Sequence, residues 1–227
     1  HSLAASAMDT AQIVKEGLKI GQNRIIPEFV FMDPRGVGLW DGMGYQAVSD
    51  AILAFDTQRA GIYGDGARPP SNEDGTPNET LADQTTRLVQ LVSGLETQYS
   101  GDTILLIFPD GTGPALLSCL MAGIPLQDVH ILDLQPGEVR WNVSPSTIWT
   151  LYNARRHDTK FMELYQSRLQ HGQEEILKLQ HIQMNKRDEI QETQQRMMEE
   201  QYYHTQQMTK HQQEVQQQEA KQERQDQ

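Results

Sequence analysis

The sequence predicts an α/β fold, and three observations carry that expectation. Ile104-Leu105-Leu106-Ile107, within Thr103 to Phe108, is an unbroken apolar run of the kind found in strands covered on both faces. A tight turn, Pro109 to Gly113, follows it, and then a helix opened by Pro114 and stopped by Gly123-Ile124-Pro125. The stretch from Asp128 to Val143, with its Pro136-Gly137 turn, reads as a further strand. In such sheets ligands sit beyond the carboxyl ends of the strands, where a helix amino terminus offers free N–H groups to an anion. Asp110, Gly111, Thr112 and Gly113 occupy that place, and the last three are candidate anion contacts.

The other elements follow in chain order. Ser2 to Ile20 has apolar residues at Ala7, Ile13 or Ala11, Val14 and Leu18, which suits an amphipathic helix closed near Gly21. Glu28 to Met32 reads as a short strand, and Asp33-Pro34 opens a glycine-dense loop through Gly42. In that loop Asp33 is a candidate acid and Arg35 a candidate anion contact. Gly44 to Phe55 reads as a helix with Ala47, Val48, Ala51, Ile52 and Phe55 on one side. Asp56 to Asn78 has no periodicity and is expected to be a long loop, with Arg59 and Arg68 as candidate anion contacts. Thr80 and Asp83 form a capping box for a helix that reaches Tyr99 and turns Leu81, Leu88, Leu91, Val92 and Leu95 toward the sheet.

Several of these segments together resemble the histidine phosphatase superfamily, the phosphoglycerate mutase-like proteins, over about residues 2 to 143. The likeness rests on the strand, turn, helix and Gly-Ile-Pro-Leu after residue 103, on Gly38-Leu39-Trp40-Asp41-Gly42, and on Asn78 to Asp83 with Arg87. It implies a three-layer phosphoglycerate mutase-like sheet flanked by helices, with amino-terminal strands missing from this chain. The family's Arg-His-Gly motif, which carries the nucleophilic histidine, would lie upstream of residue 1. The chain does not open with Met and carries no signal-peptide pattern, so it reads as a processed piece.

The resemblance also implies a loss of chemistry. Ser6 stands where the family keeps a phosphate-holding arginine, and a hydroxyl lacks the charged bidentate fork of a guanidinium. Asp110 stands where the family keeps its second histidine. Two like charges ~4 Å apart at an effective dielectric of about 20 repel by ~4 kcal/mol, about three powers of ten in affinity. Ser6 and Asp110 are therefore degenerate positions, and the expectation is a pseudophosphatase with no confident catalytic residue. The alternative is an active phosphatase or mutase whose nucleophile lies upstream, and a third possibility is a small-molecule sensor built on the emptied pocket. Asp33, Asp41 and Asp110 would suit a cation by ligand type, but their spacing follows no recognised loop; no metal and no cofactor are expected.

Charge and composition narrow the partners. A net charge of −12 argues against nucleic acid, whose phosphates are held by Lys and Arg. The lone Cys119 cannot form an internal disulfide, sits on the apolar face of its helix and favours a reducing intracellular compartment. No apolar stretch reaches the ~20 residues of a membrane span, so any membrane association would go through partners. The likeness to a plant or algal branch of the superfamily implies a chloroplast location.

Beyond Ser144-Pro145 the character changes. Residues 146–172 read as a connecting helix or docking segment bearing Trp149, Tyr152, Phe161 and Tyr165. Residues 173–227 contain neither Gly nor Pro and are rich in Gln, Glu, Lys and Met, so a long helix is expected. Its apolar residues, among them Ile176, Leu177, Met184, Ile190, Met197 and Met198, form a stripe without clean heptads. That pattern suits an arm that attaches the domain to other protein subunits of a large complex. His171, His181, His204 and His211 are not spaced for one metal site.

Overall fold

Six α-helices carry the architecture of the computed structural model, which describes residues 1–63, 68–72 and 75–223. They are α1 (Ala5–Leu18), α2 (Tyr45–Tyr63), α3 (Leu81–Gln98), α4 (Thr112–Ala122), α5 (Pro145–His157) and α6 (Thr159–Glu223). A 3₁₀ helix, Leu126–Leu132, joins α4 to the chain that leads into α5. The chain separates into two units, His1–Ile176 and a second from Leu177 onward. The side chains of Arg59, His204 and His211 lie outside those described.

The expected three-layer α/β sheet is not formed: among the described residues there is no strand. Among those residues two isolated bridges are all the pairing present, a parallel one between Ser2 and Glu28 and an antiparallel one between Val37 and Asn78. The reason is that a strand needs a second backbone beside it. Thr103–Phe108 runs on without a helical turn, and its only backbone ladder bond among the described residues is Ser2 N–H donating to the Ile107 carbonyl at 3.2 Å. Both Ile104 and Leu105 are more than 40 % exposed, although the run was expected to be covered on both faces. Glu28–Met32 likewise makes one bridge and then bends.

The second expected strand is replaced in its first half by the 3₁₀ helix. A period of three places Leu126, Val129 and Leu132 on one side, and Val129 and Leu132 are fully buried. The core of the first unit forms where this helix, α2, α3, α4 and α5 meet. Met32, Leu53, Leu81, Leu88, Leu116, Leu132 and Tyr152 belong to it.

One local signal gives the expected result. Thr80 Oγ1 accepts from Asp83 N–H at 3.1 Å, and Thr80 N–H donates to Asp83 Oδ2 at 3.0 Å, closing the capping box at the start of α3. Ser144 and Thr147 close a second box ahead of Pro145 in α5. Helix α2 continues to Tyr63, eight residues into the segment expected to be loop. Helix α6 passes through Gly172 without a break.

Candidate functional site

Asp110 is the residue from which the site can be built. Its Oδ1 accepts from Thr112 N–H at 3.0 Å and from Gly113 N–H at 3.3 Å. The first N–H groups of a helix have no partner inside the helix, so this carboxylate takes the donors that an incoming anion would use. Burial pushes the Asp110 carboxyl above its ordinary value, and the Asp133 carboxylate adds to that; the two N–H bonds pull the other way. Gly111 lets the turn close, because a Cβ there would lie 2.2 Å from the Leu134 carbonyl oxygen.

Of the other expected residues, Gly111, Thr112 and Gly113 adjoin Asp110 in the turn, and from outside the turn only Ser6 joins Asp110. Both line a groove of about 680 Å³, which also has Thr10 and Val14 of α1, Leu117 and Met121 of α4, and the segments 104–111 and 134–140 on its walls. Ser6 is exposed and makes no hydrogen bond to Asp110; its carbonyl accepts from Thr10 Oγ1 at 2.7 Å. Asp33 does not line the groove, and its carbonyl faces the Arg87 guanidinium. Arg35 is buried, with Nη1 on Asp56 Oδ2 at 2.6 Å and Nε on the Glu79 carbonyl at 2.8 Å. Arg68 is half exposed and holds Asp83 at 2.7 Å and the Asn78 carbonyl. Arg87 binds both carboxylate oxygens of Glu79, at 2.8 and 2.7 Å. Arg35 and Arg68, the described cationic side chains that the sequence offers as anion contacts, are thus held by this chain's own acids.

A buried charged cluster escaped the sequence reading. His130 Nε2 lies 3.0 Å from Asp56 Oδ2, and His130 Nδ1 lies 3.0 Å from Asp133 Oδ2. Arg35 shares Asp56 with His130. Burial by itself would lower the His130 pKa, but the Asp133 and Asp56 carboxylates outweigh it and raise it to about 9. The same logic holds Asp56 below the usual carboxylate range: burial opposes ionisation, and Arg35 and His130 overcome it. Two cations and two anions balance within the cluster. Asp56 is 74 positions from His130, and no local pattern announces a pair that far apart.

His130 and Asp133 also border a second cavity, of about 290 Å³, with Tyr45, Ser49 and Arg168 at its edge. Arg168 is held by Asp50 Oδ1 at 2.7 Å and Ser49 Oγ at 3.1 Å. Asp33, Asp41 and Asp110 do not gather, and among the described residues no three His, Cys, Asp or Glu side chains come together to hold a metal. Cys119 is buried in α4, and burial pushes its thiol up to about 12, far from the thiolate that nucleophilic attack needs. No helix among the described residues is long and apolar enough to cross a membrane. No known family, characterised protein or solved structure matches this chain.

Proposed function

We propose that this chain is a noncatalytic subunit of a larger protein assembly, with the part of α6 beyond Leu177 as its attachment arm. The observation that carries the reading is the surface of that arm. Leu177, Met184, Ile190, Met197 and Met198 are all between 46 and 69 % exposed. An isolated exposed apolar side chain is ordinary, but a series of them along one helix is what helix-in-groove recognition uses.

The chemistry near Asp110 agrees with a binding role. A phosphate would have to displace a carboxylate already bonded to the amino terminus of α4, and would meet the repulsion of that carboxylate. Among the described residues, Arg35 and Arg87 are committed to buried or half-buried acids, and Arg140, on the groove wall, is held by Glu138, Ser118 Oγ and the Leu132 carbonyl.

The test compares the native chain with Leu177→Glu/Met184→Glu/Met198→Glu in extracts of the cell that makes it. The native chain is expected to migrate with a large assembly and the triple variant alone, with equal helix content by circular dichroism. Identical migration of the two, or turnover of a sugar phosphate by the native chain, overturns the reading.

A further inference from the structure

The groove beside Asp110 has a property that neither its volume nor the arm explains. Two of its walls are chain segments with unused backbone hydrogen-bonding groups. From 102 to 107 the chain has neither helical turn nor bend, and the N–H groups of Thr103, Ile104, Leu105 and Leu106 find no partner among the described residues. The same holds for Val139, Arg140 and Trp141, which follow the Pro136-Gly137 turn.

Four side chains of these segments are apolar and exposed, while Arg140 is held by Ser118 and Glu138. Ile104 and Leu105 are 41 and 49 % exposed, and neighbours on an extended chain point to opposite faces. Leu106 and Phe108, further along the run, pack against the core, so the open apolar surface on both faces is at 104 and 105. Val139 is about half exposed and Trp141 almost fully so.

Backbone pairing has already begun at one end of this region. Glu28 N–H donates to the His1 carbonyl at 2.8 Å, Ser2 pairs with Glu28 in a parallel bridge, and Ser2 N–H donates to the Ile107 carbonyl. Three backbones thus stand side by side at Glu28, Ser2 and Ile107, and the ladder stops where Leu106 begins. A helix cannot continue it, because the donors and acceptors of a helix are used internally. Water satisfies the amides but leaves the apolar rows exposed.

We propose that the groove bordered by residues 104–110 and 134–140 is an acceptor for one extended apolar strand donated by a partner polypeptide. The donated backbone extends the ladder, and its alternate side chains enter the apolar wall made with Leu117 and Met121. This is strand addition, in which main-chain bonds supply affinity and side-chain pockets supply selectivity. The site is separate from the arm, so the Glu substitutions at Leu177, Met184 and Met198 leave it intact.

The probe is a short peptide of alternating Thr and Val with Lys at both ends, offered to the full chain. A second peptide carries N-methyl groups on all its Thr and Val amides, which removes its backbone donors. The unmodified peptide is expected to bind with a Kd below ~100 μM and to slow amide exchange at 103–106 and 139–141 by about tenfold or more. The methylated peptide is expected to bind about tenfold more weakly or worse. Leu105→Pro, at a half-exposed site, should abolish binding with helix content unchanged, and Leu105→Thr should retain it. Exchange at 103–106 unaffected by the peptide, or equal binding of both peptides, overturns the proposal. So does protection that grows with the concentration of the chain alone, which would assign the groove to a second copy.

Discussion

His130 shows most clearly how single residues set the behaviour of this protein. Its imidazole is closed on both nitrogens by carboxylates, and its pKa is raised from 6.5 to about 9. A base with a raised folded-state pKa contributes stability in full below its unfolded value and loses it as pH climbs through the folded value. Urea unfolding should therefore show a loss of about 3 kcal/mol between pH 6 and pH 10. In His130→Gln this alkaline limb should flatten, and the variant should be less stable at pH 7 by about 3–5 kcal/mol, because Asp56 stays buried with one partner fewer. Asp110 gives a separate test of the turn. Asp110→Ala removes both bonds to the start of α4 and should cost about 1 kcal/mol. Asp110→Asn keeps an accepting oxygen and drops a charge that burial opposes, so it should lie within about 0.5 kcal/mol of the native chain in the same denaturation assay. An equal loss in the two variants would show that the charge, and not the capping, holds the turn.

Among the elements, what could be read from the sequence divides by how local the cause is. The capping box of Thr80 and Asp83, the apolar face of α3 and the Gly123 stop of α4 depend on residues within a turn of one another, and the structure has all three. The strand expected at Thr103–Phe108 depends on distant backbones, and hydrophobic pattern alone cannot supply them. Its apolar run signals what the segment would bury, not whether anything arrives to cover it. The 3₁₀ helix at Leu126–Leu132 was misread for a similar reason. Val129 and Ile131, two apart, fit a short strand, and the Asp56 contact of His130 that anchors the helix comes from α2. Asp110, Gly111, Thr112 and Gly113 do sit together at the start of α4, yet Asp33, Arg35 and Arg68 turn to other partners. Gly172 belongs at this scale too. The expected boundary between the connecting segment and the long helix falls here, but α6 continues through it, and α2 passes so close that a Cβ would lie 1.9 Å from the Asp50 carbonyl oxygen and 2.8 Å from Ala54 Cβ. Gly172→Ala would gain about 1 kcal/mol of helix propensity in an isolated helix. Here the contact is with backbone, which cannot swing aside, so the variant is expected to lower the thermal midpoint by several degrees. A rise in that midpoint would mean that α2 and α6 pack less closely than these distances say.

For the whole molecule the decisive contrast is between its two units. The first has a buried apolar core with a balanced charged cluster inside it, and its helices are held by packing as well as by their own hydrogen bonds. In the second, every described side chain from His181 to Tyr203 is exposed. A helix in water without an apolar contact has little to oppose its conformational entropy, and most helical stability in proteins comes from packing. The two units should therefore open independently. Native-state amide exchange at pH 7 should find 181–203 within roughly a hundredfold of the unfolded rate and the interior of α3 at least a thousandfold slower still. Adding urea should leave the first figure almost unchanged while the second falls, because only the core exposes much surface on opening. A partner seated on Met184, Ile190 and Met198 would reverse the contrast, slowing exchange along the arm with no new protection in α3. If the arm of the chain alone is already as protected as α3, and stays so on dilution, its helix has packing that these exposures deny, and the attachment role assigned to it fails.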